Sequence, residues 1–365
     1  MEDEALIGGQ PSASSSSSAR ELTEVGAAAA RSGAASGPVA EILGTQAEKG
    51  PATGTARSVA TRRLYHLWPA RNVFFCKGLL MTGGSDECWA PHLCVWGCIL
   101  VPCTIYFCWV FPTLWRRGAY ALPLAILIVF LLTSGCLLAT CCTDPGIIPR
   151  RDVILATGAA AKLEESLGYD VLGGSTDGSE PKLPSDITRQ GYRWCRTCRI
   201  VRPPRASHCP DCDNCVLRYD HHCPFVNNCV GQRNYHFFFS FVTLVMFLAM
   251  LVIPSLMSFF AAIDIEASLK FMIQINAVMW VAFYSLITIG VLIITASLLS
   301  CLLWVYHVFL IASNKTTKEF RKSIRNIDEE PTLCARRGPR LFDPRALVDP
   351  SLLPPRNIGG SAWSV

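Results

Sequence analysis

The chain has 365 residues, of which 51% are hydrophobic and only 17% charged, with a mean hydropathy of +0.32. That balance excludes an ordinary water-soluble enzyme and points to a membrane protein. The formal net charge of +5 is modest; it suits a chain lying against anionic lipid and argues against a nucleic-acid binder.

Eighteen cysteines would imply disulfides in a secreted chain. The first 60 residues hold no apolar run of signal-peptide length, and Glu2, Asp3, Glu4, Glu21 and Glu24 are acids that transit peptides avoid. Reduced thiols binding metal on the cytosolic side are therefore expected.

Residues 1–60 are rich in Ala, Gly and Ser and have too little apolar surface to offset ordering, so a disordered tail is expected. Residues 61–92 turn aromatic and fit an amphipathic or short extended segment at the membrane face, or a juxtamembrane linker. Residues 93–142 hold two uncharged runs, 93–115 and 119–142, each near the ~20 residues that a bilayer requires. Arg116-Arg117-Gly118 between them makes the tight turn of a helical hairpin. Residues 143–190 open with Asp144-Pro145-Gly146 and continue as a Gly-, Ser- and Asp-rich linker, and 191–236 concentrate Cys and His. Residues 237–312 contain two more apolar runs, 237–263 and 277–312; the second is too long for a perpendicular span, so tilt or an emergent end takes up the excess. In 313–365, Asn314 to Phe320 reads as a helix start capped by Thr316 or Thr317, with Glu319 in its first turn. Beyond Asp328 the Pro- and Arg-rich tail is expected to be mostly irregular. No internal repeat is apparent.

Lys and Arg crowd the 143–236 segment, the tail after 312 and the stretch before the first span. Only Arg116 and Arg117 stand in the first hairpin and Lys270 in the second. The central segment and both termini are therefore expected in the cytosol, with the Arg pair as the one exception. Asn314-Lys315-Thr316, a glycosylation-like triplet, would then never meet the lumen.

Residues 195–236 read CRTCRIVRPPRASHCPDCDNCVLRYDHHCPFVNNCVGQRNYH. Seven of the eighteen cysteines lie there (Cys195, Cys198, Cys209, Cys212, Cys215, Cys223, Cys229), with His208, His221, His222 and His236. Thiolate and imidazole are the ligands of tetrahedral zinc, and C-x2-C places two ligands on one turn. Two closed sites need eight ligands; with His236 set aside the stretch offers ten. In Asp220-His221-His222-Cys223 a thiol lies close to an imidazole behind a carboxylate, the arrangement that activates a cysteine nucleophile. Spacing alone does not say which cysteine is spare; the chemistry favours Cys223.

The pattern C-x2-C-x9-H-C-x2-C-x2-C-x4-D-H-H-C-x5-C resembles the cysteine-rich domain of the DHHC protein S-acyltransferases, the palmitoyltransferases. The resemblance implies an all-α polytopic membrane protein: four transmembrane helices, with a cytosolic two-zinc cysteine-rich domain of short hairpins between spans 2 and 3. It assigns Cys195, Cys198, His208 and Cys215 to one structural zinc and Cys209, Cys212, His222 and Cys229 to the other. It makes Cys223 the nucleophile, His221 its general base and Asp220 the partner that orients His221. The implied reaction is ping-pong, from palmitoyl-coenzyme A or another long-chain acyl-coenzyme A to substrate proteins with membrane-proximal cysteines, at the lipid bilayer. The likeness of RNVFFCKG to the pre-membrane segment of the Ras-modifying branch would add a small accessory subunit. Asp144-Pro145-Gly146 matches the family's DPG and Thr316-Thr317-Lys318-Glu319 its TTxE; the latter would bring Thr316 to Asp220. Phe225 stands where Trp is usual, and after Glu330 only Asn357 is left to serve the family's aromatic-and-Asn element. The family's membranes are those of the Golgi, the reticulum and the cell surface.

Other classes fit less well. A membrane-anchored RING-like ubiquitin ligase needs C-x2-C near the end of its ligand series, where this chain has Cys223-x5-Cys229. A channel or transporter needs polar residues within its spans. A zinc-domain adaptor without activity would not need the full Asp-His-His-Cys tetrad. The arginines of 190–236 outnumber Asp211, Asp213 and Asp220 and suit either a polyphosphorylated coenzyme A or anionic headgroups. Elsewhere, His307 reads as facing a neighbouring helix or the interface, and His236 as an interfacial histidine. Cys136, Cys141 and Cys142 read as space-filling at a helix end, with acylation of one as the alternative.

Overall fold

The computed structural model describes residues 60–84, 89–261, 277–322 and 338–355. Nearly all of the tail expected at 1–60, and Asn357, lie outside the described residues.

Four helices are long and apolar enough to cross a membrane. They are α1 (Ala90–Arg116), α2 (Ala121–Cys142), α3 (Tyr235–Ala261) and α4 (Ala277–Ala312). Helix is the conformation that satisfies every backbone group within a segment that water cannot reach. Pro102 lies within α1, and the helix loosens into a π-turn at Tyr106–Val110. α2 packs most extensively on α3, and α4 packs on α3 and α1. Residues 277–312 do form one continuous helix of 36 residues.

Outside the bundle the chain is not all-α. The described residues contain eleven short strands: β1 (Arg62–Arg63), β2 (Asn72–Phe75), β3 (Leu80–Gly84), β4 (Ile147–Ile148), β5 (Arg193–Cys195), β6 (Ile200–Arg202), β7 (Ser207–Cys209), β8 (Asn214–Val216), β9 (His221–Cys223), β10 (Asn228–Val230) and β11 (Leu347–Val348). Strands of two to five residues cannot support a core by themselves. Their presence corrects the all-α expectation, whose hairpins are true antiparallel ladders: β5 with β6, β7 with β8, and β9 with β10. β4 adds to the edge of β8, so the exit from α2 is stitched into the cysteine-rich unit. The linker of 143–190 is also more ordered than its composition suggested, with helices at Arg151–Thr157, Ala160–Leu167 and Ser185–Arg189.

The segments flanking the bundle meet each other. β1 pairs with β11, and Trp68 stacks on Phe342 at 4.6 Å between ring centroids. Residues 338–355, expected to be irregular, are thus docked on the cysteine-rich unit. Their Leu341, Phe342, Val348 and Leu353 are buried. The β2–β3 hairpin leans on the β9–β10 turn, where the Gly83 N–H and the Thr82 hydroxyl both donate to the Asn227 carbonyl at 2.7 Å. Only glycine fits at 83, since a Cβ there would lie 2.7 Å from that same oxygen.

The cysteine-rich unit is seated on the bundle through two asparagines. The last carbonyls of a helix have no partner within it. Asn228 Nδ2 donates to the carbonyls of Thr140, Cys141 and Thr143 at 3.0–3.3 Å, and Asn234 Nδ2 donates to that of Thr140 at 3.2 Å. Asp144 accepts from the N–H groups of Gly146 and Ile147, both at 2.9 Å, while Arg233 and Arg340 approach its other oxygen at 3.5 and 3.7 Å. The DPG turn therefore ties α2, the start of α3 and the tail together.

Candidate active site and metal centres

β5–β6, β7–β8 and β9–β10 are copies of one unit. Cys195, Cys209 and Cys223 each end a first strand and pair with the residue five positions on, namely Ile200, Asn214 and Asn228. Each four-residue turn closes on a left-handed residue: Arg199 (φ 53°), Asp213 (φ 54°) or Asn227 (φ 47°). The three cysteines recur at a constant spacing of fourteen residues. Three positions further on stand Cys198, Cys212 and, in the third unit, Val226. The N–H of Cys198 points at Cys195 Sγ and that of Cys212 at Cys209 Sγ, both at 3.5 Å. In the third unit the N–H groups of Phe225 and Val226 point at the Cys223 sulfur in the same way.

Successive units share ligands. Cys195 and Cys198 of the first unit gather with His208 and Cys215 of the second; Cys209 and Cys212 of the second gather with His222 and Cys229 of the third. All ligand atoms in each set lie within 4.8 Å of one another. Zinc bonds of about 2.3 Å to sulfur and about 2.0 Å to nitrogen make a tetrahedron with edges of about 3.5–3.8 Å. The first set gives Cys198 Sγ to His208 Nδ1 at 3.4 Å and Cys215 Sγ to the same nitrogen at 3.9 Å. In the second set, His222 Nδ1 lies 3.7, 3.4 and 3.6 Å from the sulfurs of Cys209, Cys212 and Cys229. Both sets fit tetrahedral zinc with all four positions supplied by protein, the form that holds structure and leaves no place for a reactive water. A third set would begin with Cys223, but Val226 replaces its second cysteine and no fourth unit follows among the described residues.

Strand geometry separates the two roles of β9. Side chains alternate between faces, so His222, across the ladder from Cys229, turns to the metal set while His221 and Cys223 share the other face. His221 Nδ1 lies 2.6 Å from Asp220 Oδ2, and the rest of the ring pairs with the Cys223 thiol. Asp220 is buried. It accepts from the Thr317 N–H and from the Thr317 hydroxyl, both at 2.7 Å. The TTxE contact expected at Thr316 thus falls one residue on. Thr316 is instead the N-cap of α5 (Thr317–Arg321), in a capping box with Glu319. Glu319 then takes a buried two-pronged pair from Arg205 at 2.8 and 3.0 Å, which clamps α5 to the second unit.

The charges reinforce one another. Burial alone would push the Cys223 thiol up, but the bond to and charge of His221, with the Val226 and Phe225 N–H groups, hold it below the ordinary value. Burial would likewise push His221 down, yet Asp220 and Cys223 lift it to about 9. Burial opposes the Asp220 carboxylate, and His221 and Thr317 nonetheless keep its pKa lowered. The arrangement favours a thiolate beside an imidazolium.

Cys223 faces the helices. It is buried in a cluster with Ile99 of α1, Leu137 and Cys141 of α2, and Tyr235, Phe238 and Val242 of α3, with Trp304 and Ile311 of α4 at its margin. Deeper in the bundle a second cluster holds Cys103, Tyr106, Val110, Ile126, Leu248 and Val252, and there Ser255 Oγ lies 3.5 Å from the Tyr106 hydroxyl. The N-terminal end of α1 reaches the β9–β10 turn through His92, whose Nδ1 is 2.9 Å from the Phe225 carbonyl.

Comparison with known proteins agrees with this architecture. The family model "DHHC palmitoyltransferase" matches residues 188–324. The chain is 37% identical over 191 residues to human Palmitoyltransferase ZDHHC18, covering 51% of this chain and 47% of that protein. With the rat protein of the same name it is 34% identical over 268 residues, 71% and 64% of the two chains. It is 32% identical over 336 residues to "Probable protein S-acyltransferase 7" of Arabidopsis thaliana, covering 83% of this chain and 70% of that one. The chain belongs to the DHHC palmitoyltransferase family. With its four apolar helices it is a multi-pass membrane protein, and it spans about half to two-thirds of the length of the human and rat relatives.

The two sets of four and the Asp220–His221–Cys223 line that the family resemblance implied are each brought together in the structure. Sequence reasoning missed Thr317, Arg205, Asn228 and Asn234, whose roles depend on contacts between distant segments. It also missed the fourteen-residue repeat, a signal that was present in the spacing of Cys195, Cys209 and Cys223.

Proposed function

We propose that this chain is a zinc-stabilised protein S-acyltransferase that moves a long-chain acyl group from acyl-coenzyme A to protein cysteines through a thioester on Cys223. The observation that carries the reading is the Asp220–His221–Cys223 line, built on a metal-braced strand and opening into the apolar end of four helices.

The Cys223 thiolate attacks the thioester carbonyl of the donor, and the coenzyme A sulfur leaves. His221, carrying the proton, gives it to that sulfur. In the second half a substrate thiol loses its proton to His221 and attacks the Cys223 thioester, returning Cys223 as thiolate. Asp220, fixed by Thr317, keeps the His221 ring aimed through both halves. Thioester exchange is nearly isoenergetic, so positioning and exclusion of competing water decide the rate. The acyl chain would lie in the cluster around Cys223, each buried CH₂ contributing about 0.8 kcal/mol.

The two closed zinc sites, filled by the eight ligands named above, would supply rigidity alone. The same proposal places both termini and the 143–236 segment on the cytosolic side, by the Lys and Arg distribution. It keeps the domain divisions at 60, 92, 142, 190, 236 and 312, with substrate proteins and the bilayer as partners. A small accessory subunit rests on residues 71–78 alone.

The test compares wild type with Cys223→Ser after incubation with palmitoyl-coenzyme A, reading hydroxylamine-labile acyl by intact mass and zinc content in the same samples. Acyl on wild type only, with two zincs in both, is expected. Equal labelling of both proteins would sink the reading, and zinc lost from Cys223→Ser would make Cys223 a ligand.

A further inference from the structure

His307 is an ionisable side chain five residues before the C-terminal end of the apolar helix α4, and it is 1% exposed. A histidine in such a segment is costly unless paired, and its presence asks for a role. Its Nδ1 lies 3.1 Å from the hydroxyl of Tyr235, the first residue of α3. Tyr235 is also buried, and a buried phenol needs a partner of this kind.

The pair stands directly behind the His221 ring. His307 and His221 have ring centroids 6.3 Å apart. Phe238 fills the corner, edge-on to His221 at 5.5 Å and to His307 at 5.0 Å. The Asp220 hydrogen bond and the Cys223 thiol hold the His221 imidazole along one line, which leaves the ring free to roll about that line. A wall of two rings removes this freedom, provided that the wall is itself fixed. Tyr235 is fixed at the foot of α3, where its N–H donates to the Gly231 carbonyl at 2.9 Å, one residue beyond Val230, the ladder partner of His221. The chain reaches the site a second time ten residues later, at the start of α5, where Thr317 holds Asp220. One chain segment thus brackets both the carboxylate and the imidazole.

We infer that Tyr235 and His307 are positioning residues of the acyl-transfer site: their hydrogen bond locks His307 and Phe238 as the wall that keeps the His221 ring aimed at Cys223. This rests on the acyltransferase reading. Their effect runs through His221 and through the rate of the chemical step.

The experiment uses the full chain in detergent, with single-turnover acyl uptake from palmitoyl-coenzyme A over a range of donor concentrations. Wild type and Cys223→Ser run first, and a wild type that takes up no acyl group sinks the acyltransferase reading by itself. With wild type active, Tyr235→Phe, which keeps the ring and deletes the hydroxyl, is expected to lower the maximal rate about tenfold. The half-saturating donor concentration should stay within about twofold, with zinc content unchanged. His307→Leu should lose a similar factor, His307→Asn, which keeps an acceptor for the phenol, should recover most of it, and the Tyr235→Phe/His307→Leu double variant should be no worse than either single one. Wild-type rates in Tyr235→Phe overturn the inference. So do losses in the double variant that multiply, which would mean two independent packing defects.

Discussion

The second and third hairpins of the cysteine-rich unit share a backbone and differ in what their first cysteine does. Cys209 and Cys223 occupy the same place, at the end of a three-residue strand, opposite an asparagine, before a turn that closes in the left-handed region. Each sulfur receives N–H groups from its own turn. Cys209 has Cys212 three residues on and a following hairpin that brings His222 and Cys229, so its charge is shared within a closed set of four ligands. Cys223 has Val226 at that place and, among the described residues, nothing after it to complete a set. The proposed nucleophile thus stands at the place of a first metal ligand, in a hairpin that no second cysteine and, among the described residues, no further set completes. The same hairpin that turns N–H groups toward a ligand sulfur does so for Cys223, and there His221, held by Asp220, is the partner of the thiol.

This contrast is sharpest when the two positions are changed in parallel. Cys209→Ser and Cys229→Ser are each expected to lose the second zinc and essentially all acyl uptake, and to unfold at lower temperature than wild type. Structural zinc contributes on the order of 10 kcal/mol of binding free energy to small domains. Cys223→Ser should lose the acyl group alone. Thermal melts with zinc determination on the three variants check this; a Cys209→Ser protein that keeps both zincs would break the equivalence of the hairpins. The next largest effect is expected from Val226→Cys, which rebuilds in the third unit the Cys pair of the second. With a second thiol to share metal or form a disulfide, Cys223 should take up acyl groups about tenfold more slowly. Undiminished uptake would mean that Val226 is not what leaves Cys223 available.

Much of this was legible in the residues. The four apolar runs required helices because their backbone has no other partner in lipid, and the ligand types and C-x2-C spacings announced two tetrahedral sites. The all-α class nonetheless left out the strands of the expected hairpins: short ladders such as β9 with β10 depend on partners that metal ligation brings together, and three residues show no strand period. Thr316 and Thr317 were equal candidates for the cap until the capping box with Glu319 fixed the register and freed Thr317 for Asp220. Arg205 was one arginine among many in a basic stretch, and only the fold pairs it with Glu319 across 114 residues. His307 was read as facing a neighbouring helix, which it does through Tyr235; that the same ring stands behind His221 depends on how α3 and α4 pack.

A smaller effect tests how rigidly the third hairpin must be held. Thr317→Val deletes one of the two bonds to Asp220 and leaves the N–H. A hydrogen bond to a charged group is worth about 1.5–3 kcal/mol at most, and with the second donor retained a fall of about fivefold in acyl uptake is expected, with zinc unchanged. No fall at all would mean that the N–H alone orients the carboxylate.

The smallest effect concerns the helices, which the hairpin serves. From His92, which meets the Phe225 carbonyl next to Cys223, to Tyr106 is fourteen residues of α1, about 21 Å of helix, and the Tyr106–Ser255 hydroxyl pair is a polar crossing inside the bundle at the far end of that path. An acyl chain running inward from Cys223 through apolar side chains would meet its limit there, since a methylene gains nothing by displacing a paired hydroxyl. Tyr106→Ala should therefore leave zinc content and palmitoyl uptake near wild type and shift the preference toward chains about two carbons longer. Competition between donors of sixteen and eighteen carbons, read as the ratio of acyl masses on Cys223, would show a change of a few-fold. A ratio identical to wild type would mean that the chain takes another path, toward α4, where Trp304 and Ile311 border the same cluster.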